Sequence, residues 1–174
     1  MDLAFLEQAY SNMAFQIGSG QTISHPFTVA FQTSLLNIKK GKKVLEIGTG
    51  SGFQTCILCE MGAKVFSIER QKELAIKSKK IIRDLNYNPR LSYGDGYIGW
   101  DVFAPFDAIL VTCGAPFVPD ALKEQLKVGG ELVIPLGEGS VQRMMRYIKQ
   151  EDGSFTEEDF GDFSFVPMLK DKQS

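Results

Sequence analysis

Three glycines at alternate positions, directly behind a short apolar run, constrain this chain more than any other stretch: Val44-Leu45-Glu46-Ile47-Gly48-Thr49-Gly50-Ser51-Gly52. Glycines at that density let the backbone turn sharply and leave room for a ligand to lie against the main chain. A helix-forming stretch follows, so the segment predicts a strand, a tight turn and a helix. A second apolar run, Lys64-Val65-Phe66-Ser67-Ile68, ends on Glu69. An acid at the tip of a second strand, about 20 residues past a glycine loop, is placed to accept hydrogen bonds from a ribose. Together the two features predict a pocket for a cofactor that contains adenosine.

The loop also narrows which cofactor. A dinucleotide fingerprint needs G-x-G-x-x-G/A, and position 53 is Phe, so that template fails. A P-loop needs Gly-Lys-Ser/Thr, and this loop has no lysine. Glu46 followed by G-x-G-x-G resembles the S-adenosylmethionine site of the Rossmann-like methyltransferases. A bare glycine turn between strand and helix would look similar; Glu69 weighs against that simpler explanation.

Along the chain, strands are expected at 43–47, 64–68, 90–93, 106–112 and 131–135, and helices at 26–37, 53–60, 71–85 and 119–126, with Gly129-Gly130 ending the last. Leu74, Ile81, Ile82 and Leu85 are expected to face inward on the helix at 71–85. The segments 142–149 and 160–168 read as an antiparallel pair joined by the Glu151-Asp152-Gly153 turn and closing one edge. The alternation predicts an open, doubly wound, Rossmann-like α/β domain with a mostly parallel sheet, a single domain spanning 1–174. Ligands in such sheets bind beyond the carboxyl ends of the strands, where Gly48, Glu69, Asp95 and Thr112 fall.

The bulk properties exclude several classes. At 174 residues, 44% hydrophobic and 23% charged, the chain has ordinary globular composition without a membrane-spanning apolar run. A formal charge of −2 argues against a generic nucleic-acid binder. The N-terminus lacks a basic n-region, and a cytoplasmic monomer is expected. Three cysteines are an odd number, which suggests free thiols. Cys56 and Cys59 form a C-x-x-C inside a helix, where apolar packing is favoured over redox or zinc chemistry, and no metal site is expected. Lys39-Lys40-Gly41-Lys42-Lys43 reads as a solvated helix end.

Several segments together resemble one family, from about residue 3 to residue 170. They are Gln16-Ile17-Gly18-Ser19-Gly20-Gln21-Thr22-Ile23-Ser24, the glycine loop, Ser67-Ile68-Glu69-Arg70, Gly94-Asp95-Gly96-Tyr97, 104–109, 125–130 and Phe165-Val166-Pro167-Met168. The chain resembles the protein-L-isoaspartate O-methyltransferases, which are class I methyltransferases. The resemblance implies methyl transfer from S-adenosylmethionine to the free α-carboxylate of L-isoaspartyl residues in damaged proteins and peptides, leaving S-adenosylhomocysteine. It makes Ser24 the active-site residue, with Thr22 beside it. It gives Glu46, Gly48, Thr49, Gly50, Ser51, Gly52, Glu69, Asp95, Gly96 and Thr112 to the cofactor, Asp95 facing the adenine amino group. On the residues alone, Ser24 could instead cap the helix starting at Pro26, and Asp95 could simply close an Asx turn.

A carboxylate acceptor suits this sequence, because its pKa of about 3.5–4 leaves it ionised at neutral pH and in no need of a base. The site must align the reacting atoms and exclude water. Family members generally carry a further helical segment ahead of this start, so full activity is less secure than cofactor binding. Gln16 stands where a proline is common, and His25 where Gln or Ala is more usual; His25 is either a pH-sensitive substrate contact or a surface substitution. Two other functions fit the loop: a small-molecule or nucleobase methyltransferase of the same fold, and a non-catalytic S-adenosylmethionine-binding domain. Against a base-amino methyltransferase, the segment Thr112-Cys113-Gly114-Ala115-Pro116 lacks the Asn/Asp-Pro-Pro-aromatic loop.

Overall fold

The computed structural model describes residues 15–18 and 21–173. Residues 1–14, Ser19, Gly20 and Ser174 lie outside the described residues, so part of the Gln16–Ser24 motif does too. The described chain opens on a hairpin the sequence did not announce, β1 (Phe15–Gly18) antiparallel to β2 (Gln21–Ile23). A seven-stranded sheet follows, built from β3 (Lys43–Ile47), β4 (Lys64–Glu69), β5 (Arg90–Tyr93), β6 (Phe106–Val111), β7 (Leu126–Leu136), β8 (Gln142–Lys149) and β9 (Phe155–Phe163). Its helices are α1 (Pro26–Ser34), α2 (Phe53–Glu60), α3 (Lys72–Asp84) and α4 (Asp120–Glu124).

The sheet order is β5-β4-β3-β6-β7-β8-β9. The first five strands in that order run parallel, and β8 and β9 add antiparallel at one edge. This is the Rossmann-like, doubly wound arrangement with a C-terminal antiparallel pair. Side chains alternate across β3: Leu45 and Ile47 join a cluster with Phe66, Phe106 and Ile109 on one face, and Val44 joins Leu58, Val65 and Leu110 on the other. Both faces are therefore covered, which is why β3 and β6 read as nearly continuous apolar runs. Burial of each such side chain contributes about 1.5–3 kcal/mol, so the central strands carry much of the stability. Chain order reverses between β3 and β6, and a crevice opens there at the carboxyl ends.

Four expectations needed correction. Gly129-Gly130 does not separate helix from strand, because β7 starts at Leu126. Phe106 pairs with Leu126 and Ala108 with Glu131, so the residues between loop out as a bulge, with Gly129 at φ 73°. The last strand is Phe155–Phe163 and not 160–168. The turn at 151–153 is tight enough to start it early, and its acidic residues are held across the ladder, Asp159 and Asp162 by Arg143 and Glu158 by Arg146. On α3 the buried stripe is Leu74, Ser78 and Ile82, whereas Ile81 and Leu85 are exposed. The expected 26–37 helix ends at Ser34. Among the described residues no helix is long and apolar enough to cross a membrane.

Candidate functional site

The glycine loop lies in the crevice between β3 and β6. Gly48 has φ 98°, and its N–H donates to Ile68 O at 2.9 Å. A Cβ there would stand 2.5 Å from Thr112 Oγ1, so the position admits only glycine. The Thr112 hydroxyl is shared between Ile47 O at 2.9 Å and Gly48 O at 2.8 Å, pinning the loop to the end of β6. Gly52 packs against Ile82 and Ser78 of α3, where a Cβ would come within 2.8 Å of the isoleucine.

Glu69 is only 5% exposed and holds the loop from the other side. Its Oε2 accepts from Gly50 N at 2.8 Å, and its Oε1 accepts from Gln71 N at 2.8 Å. A carboxylate has about four lone-pair sites, so each oxygen keeps one for a further donor. Glu46 is placed differently. It is fully buried on the α2 face of β3, its Oε2 accepts from Thr55 Oγ1 at 2.5 Å, and its Oε1 has no hydrogen-bond partner among the described residues. Burial pushes its carboxyl up to about 7, against the opposing pull of the nearby Ser67 and Thr55 hydroxyls, while Glu69 adds to the rise. Thr49 is buried and hydrogen-bonded to Ser67 at 2.6 Å. Ser51 Oγ accepts from Phe53 N at 3.3 Å at the start of α2.

Three clefts meet beside this loop, at Thr22 and Thr112. The first lies between Gly48, Gly50, Glu69, Gly96 and the 166–169 segment. The second runs along Thr49, Ser51 and Gln54 under the loop. A third opens between His25, Thr28, Ser164 and Phe165. Thr22 and Thr112 border all three, and Ser24 borders the second and third. Ser24 is not the cap of α1: His25 occupies that position, and no side-chain capping bond forms.

The structure thus brings Thr22, Ser24, Gly48, Thr49, Gly50, Ser51, Glu69, Gly96 and Thr112 together. Glu46, Gly52 and Asp95 line none of the three clefts. Asp95 closes its own turn, Oδ1 accepting from Tyr97 N at 2.8 Å, and its Oδ2 accepts from Asp171 N at 3.0 Å. Gly96 packs so closely on β3 that a Cβ would meet Ile47 Cγ2 at 2.3 Å.

Little in the local pattern of residues points to the C-terminal segment that walls the first cleft. Met168 N donates to Gly114 O at 2.7 Å, Gly114 N donates to Val166 O at 2.8 Å, and Tyr97 Oη donates to Met168 O at 3.1 Å. Arg70 Nε donates to Asp171 O at 3.1 Å, and Gln173 N donates to Arg70 O at 2.9 Å. Irregular backbone of this kind carries no periodicity, and only the Phe-Val-Pro-Met motif marked it. Cys113 also lines this cleft, its thiol pushed up to about 12 chiefly by burial. Cys56 and Cys59 are half-buried, and burial likewise raises both thiols, Cys59 to about 12. Among the described residues no cluster of His, Cys, Asp and Glu could hold a metal ion.

An open sheet that reverses order over a G-x-G-x-G loop, with a buried acid at the end of the neighbouring parallel strand holding that loop, is the arrangement of the class I S-adenosylmethionine-dependent methyltransferases. Comparison with known proteins narrows the class. The profile of the family described as protein-L-isoaspartate(D-aspartate) O-methyltransferase matches residues 1–173, and the chain belongs to that family. A protein-L-isoaspartate O-methyltransferase of Christiangramia forsetii is 56% identical over 173 residues, covering 99% of this chain and 81% of the relative. A solved Plasmodium falciparum member in complex with S-adenosyl-L-homocysteine superposes with TM-score 0.82 at 26% identity, over 93% of this chain and 82% of the other. Another solved protein-L-isoaspartate O-methyltransferase gives TM-score 0.84 at 26% identity, and this chain spans 54% of its length.

Proposed function

We propose that this protein methylates the free α-carboxylate of L-isoaspartyl residues in damaged proteins and peptides, with S-adenosylmethionine as donor. The observation that carries the residue assignments is the meeting of three clefts at Thr22 and Thr112, with Ser24 between the second and third. Adenosine occupies the first cleft, with the ribose on Glu69 and the rings over Gly96. The methionyl portion follows the loop into the second. The isoaspartyl carboxylate enters from the third, so that the methyl group passes between Thr22, Ser24 and Thr112. The remaining assigned residues act from behind: Glu46 braces the loop against α2, and Asp95 orders the 166–173 segment.

The chemistry needs no proton transfer. A carboxylate oxygen attacks the methyl carbon, the carbon–sulfur bond breaks with its electron pair going to sulfur, and sulfonium and carboxylate become thioether and ester. Charge disappears on the way to the transition state. Neutral hydroxyl donors therefore suit the acceptor better than a fixed cation, which would hold it in its ionised ground state. The lining of the third cleft fits this, with hydroxyls on Thr22, Ser24 and Thr28, while those of Thr112 and Ser164 donate to backbone carbonyls.

The proposal takes 1–174 as one methyltransferase domain and the protein as a cytoplasmic monomer without nucleic-acid or membrane partners, in keeping with its composition and formal charge of −2. Product analysis tests the activity. Incubation of an isoaspartyl peptide with S-adenosylmethionine should give a base-labile methyl ester that closes to a succinimide, both visible by mass spectrometry. Methyl groups stable to base, or appearing on nitrogen, would contradict it.

A further inference from the structure

Among the described residues two buried side-chain atoms lack a partner, Glu46 Oε1 and Gln54 Oε1. The first can be relieved by protonation, since burial raises that carboxyl to about 7. An amide has no such recourse. An unsatisfied buried acceptor is costly, and one in a native fold calls for a partner.

The orientation of the Gln54 amide is fixed by its neighbours. Thr33 Oγ1 donates its only proton to Val29 O at 2.7 Å, so it can only accept from Gln54, whose Nε2 lies 2.9 Å away. The nitrogen is therefore committed to α1, and Oε1 is left as an acceptor in a residue that is 6% exposed and lines the second cleft. Two further polar groups of this cleft are already engaged: Thr49 Oγ1 with Ser67, and Gln32 Nε2 with Val111 O at 3.0 Å. What this acceptor lacks is a donor, and an ammonium, which only donates, supplies one.

We infer that Gln54 is a cofactor-binding residue whose Oε1 accepts a hydrogen bond from the α-ammonium of the methionyl portion of S-adenosylmethionine. This rests on the assignment of the second cleft to the amino-acid end of the donor. The Thr33–Gln54 relay then ties cofactor recognition to α1, the helix behind Ser24. Reading the amino-acid end through a side chain of α2 also lets the protein reject adenosine thioethers that lack that end.

Calorimetry with two probes tests this. S-adenosylhomocysteine carries the ammonium; methylthioadenosine keeps adenosine and sulfur but has no amino-acid end. In Gln54→Met, affinity for S-adenosylhomocysteine should fall about tenfold or more, the loss expected of a charge-assisted hydrogen bond, while affinity for methylthioadenosine stays unchanged. Gln54→Glu, which keeps an acceptor, should retain the preference for S-adenosylhomocysteine, and it serves as a second reading should Gln54→Met fold poorly. Equal losses for both probes in Gln54→Met, or no loss for either, would overturn the inference, as would loss of the preference in Gln54→Glu. Failure of the wild type to bind S-adenosylhomocysteine at all would instead overturn the functional assignment beneath it.

Discussion

Replacing Glu69 with glutamine separates its two roles. Its oxygens accept from two backbone N–H groups, Gly50 and Gln71, each at 2.8 Å. Glutamine has one acceptor oxygen. Whichever amide group that oxygen takes, the new NH2 faces the other N–H and leaves it without a partner. The side chain is 5% exposed, so solvent screens little of the loss. Losing one charge-assisted hydrogen bond costs about 1.5–3 kcal/mol. For a chain of this size that corresponds to a Tm lower by about 3–12 °C. On the proposed assignment the ribose hydroxyls also lose a carboxylate acceptor, which should weaken S-adenosylhomocysteine binding about tenfold or more. Thermal unfolding with and without S-adenosylhomocysteine, together with calorimetry, reads both effects. Saturating ligand should raise Tm less in Glu69→Gln than in wild type at equal concentration. Lower stability with unchanged affinity would remove Glu69 from the ribose, and no change in either would refute the reasoning entirely.

Ser24→Ala should cut the single-turnover rate about 100-fold, as loss of one positioned donor does, with Tm and cofactor affinity nearly unchanged because Ser24 caps no helix. A destabilised but catalytically normal variant would sink the active-site assignment. Glu46 sits at about 7 in the folded protein against an ordinary 4.5, so between those values the fold holds a proton that the unfolded chain has released. Its contribution is fully present below pH 4.5 and is lost as pH rises through 7, by about 3 kcal/mol. Denaturant unfolding across that window should therefore show stability falling in wild type relative to Glu46→Gln; parallel profiles would contradict the burial argument.

What the sequence made legible follows from where physical constraints act locally. Strand β3 and its glycine turn were readable because an apolar run and a Cβ-free turn each demand particular residues over a few positions. Glu69 was readable because its place follows from the loop by chain geometry. The edge was harder. The acidic run in β9 reads as loop until the Arg143 and Arg146 partners across the ladder are known. Likewise Gly129-Gly130 signals a break, and only pairing with β6 turns it into a bulge. The same limit applies at the site. That Glu46 turns toward α2, that Asp95 holds Asp171, and that Gln54 leaves an oxygen unpaired depend on contacts up to 76 residues apart in sequence, which no local pattern encodes.

The most direct test of the account compares two isomers of one peptide, identical except that a single aspartate is linked through its side-chain carboxyl in one and through its α-carboxyl in the other. Steady-state methyl transfer from labelled S-adenosylmethionine is measured on both, with wild type and Ser24→Ala in parallel. The account predicts methylation of the isoaspartyl isomer alone, with kcat strongly reduced in the variant. Equal methylation of both isomers, or transfer to neither while S-adenosylmethionine remains bound, would contradict it.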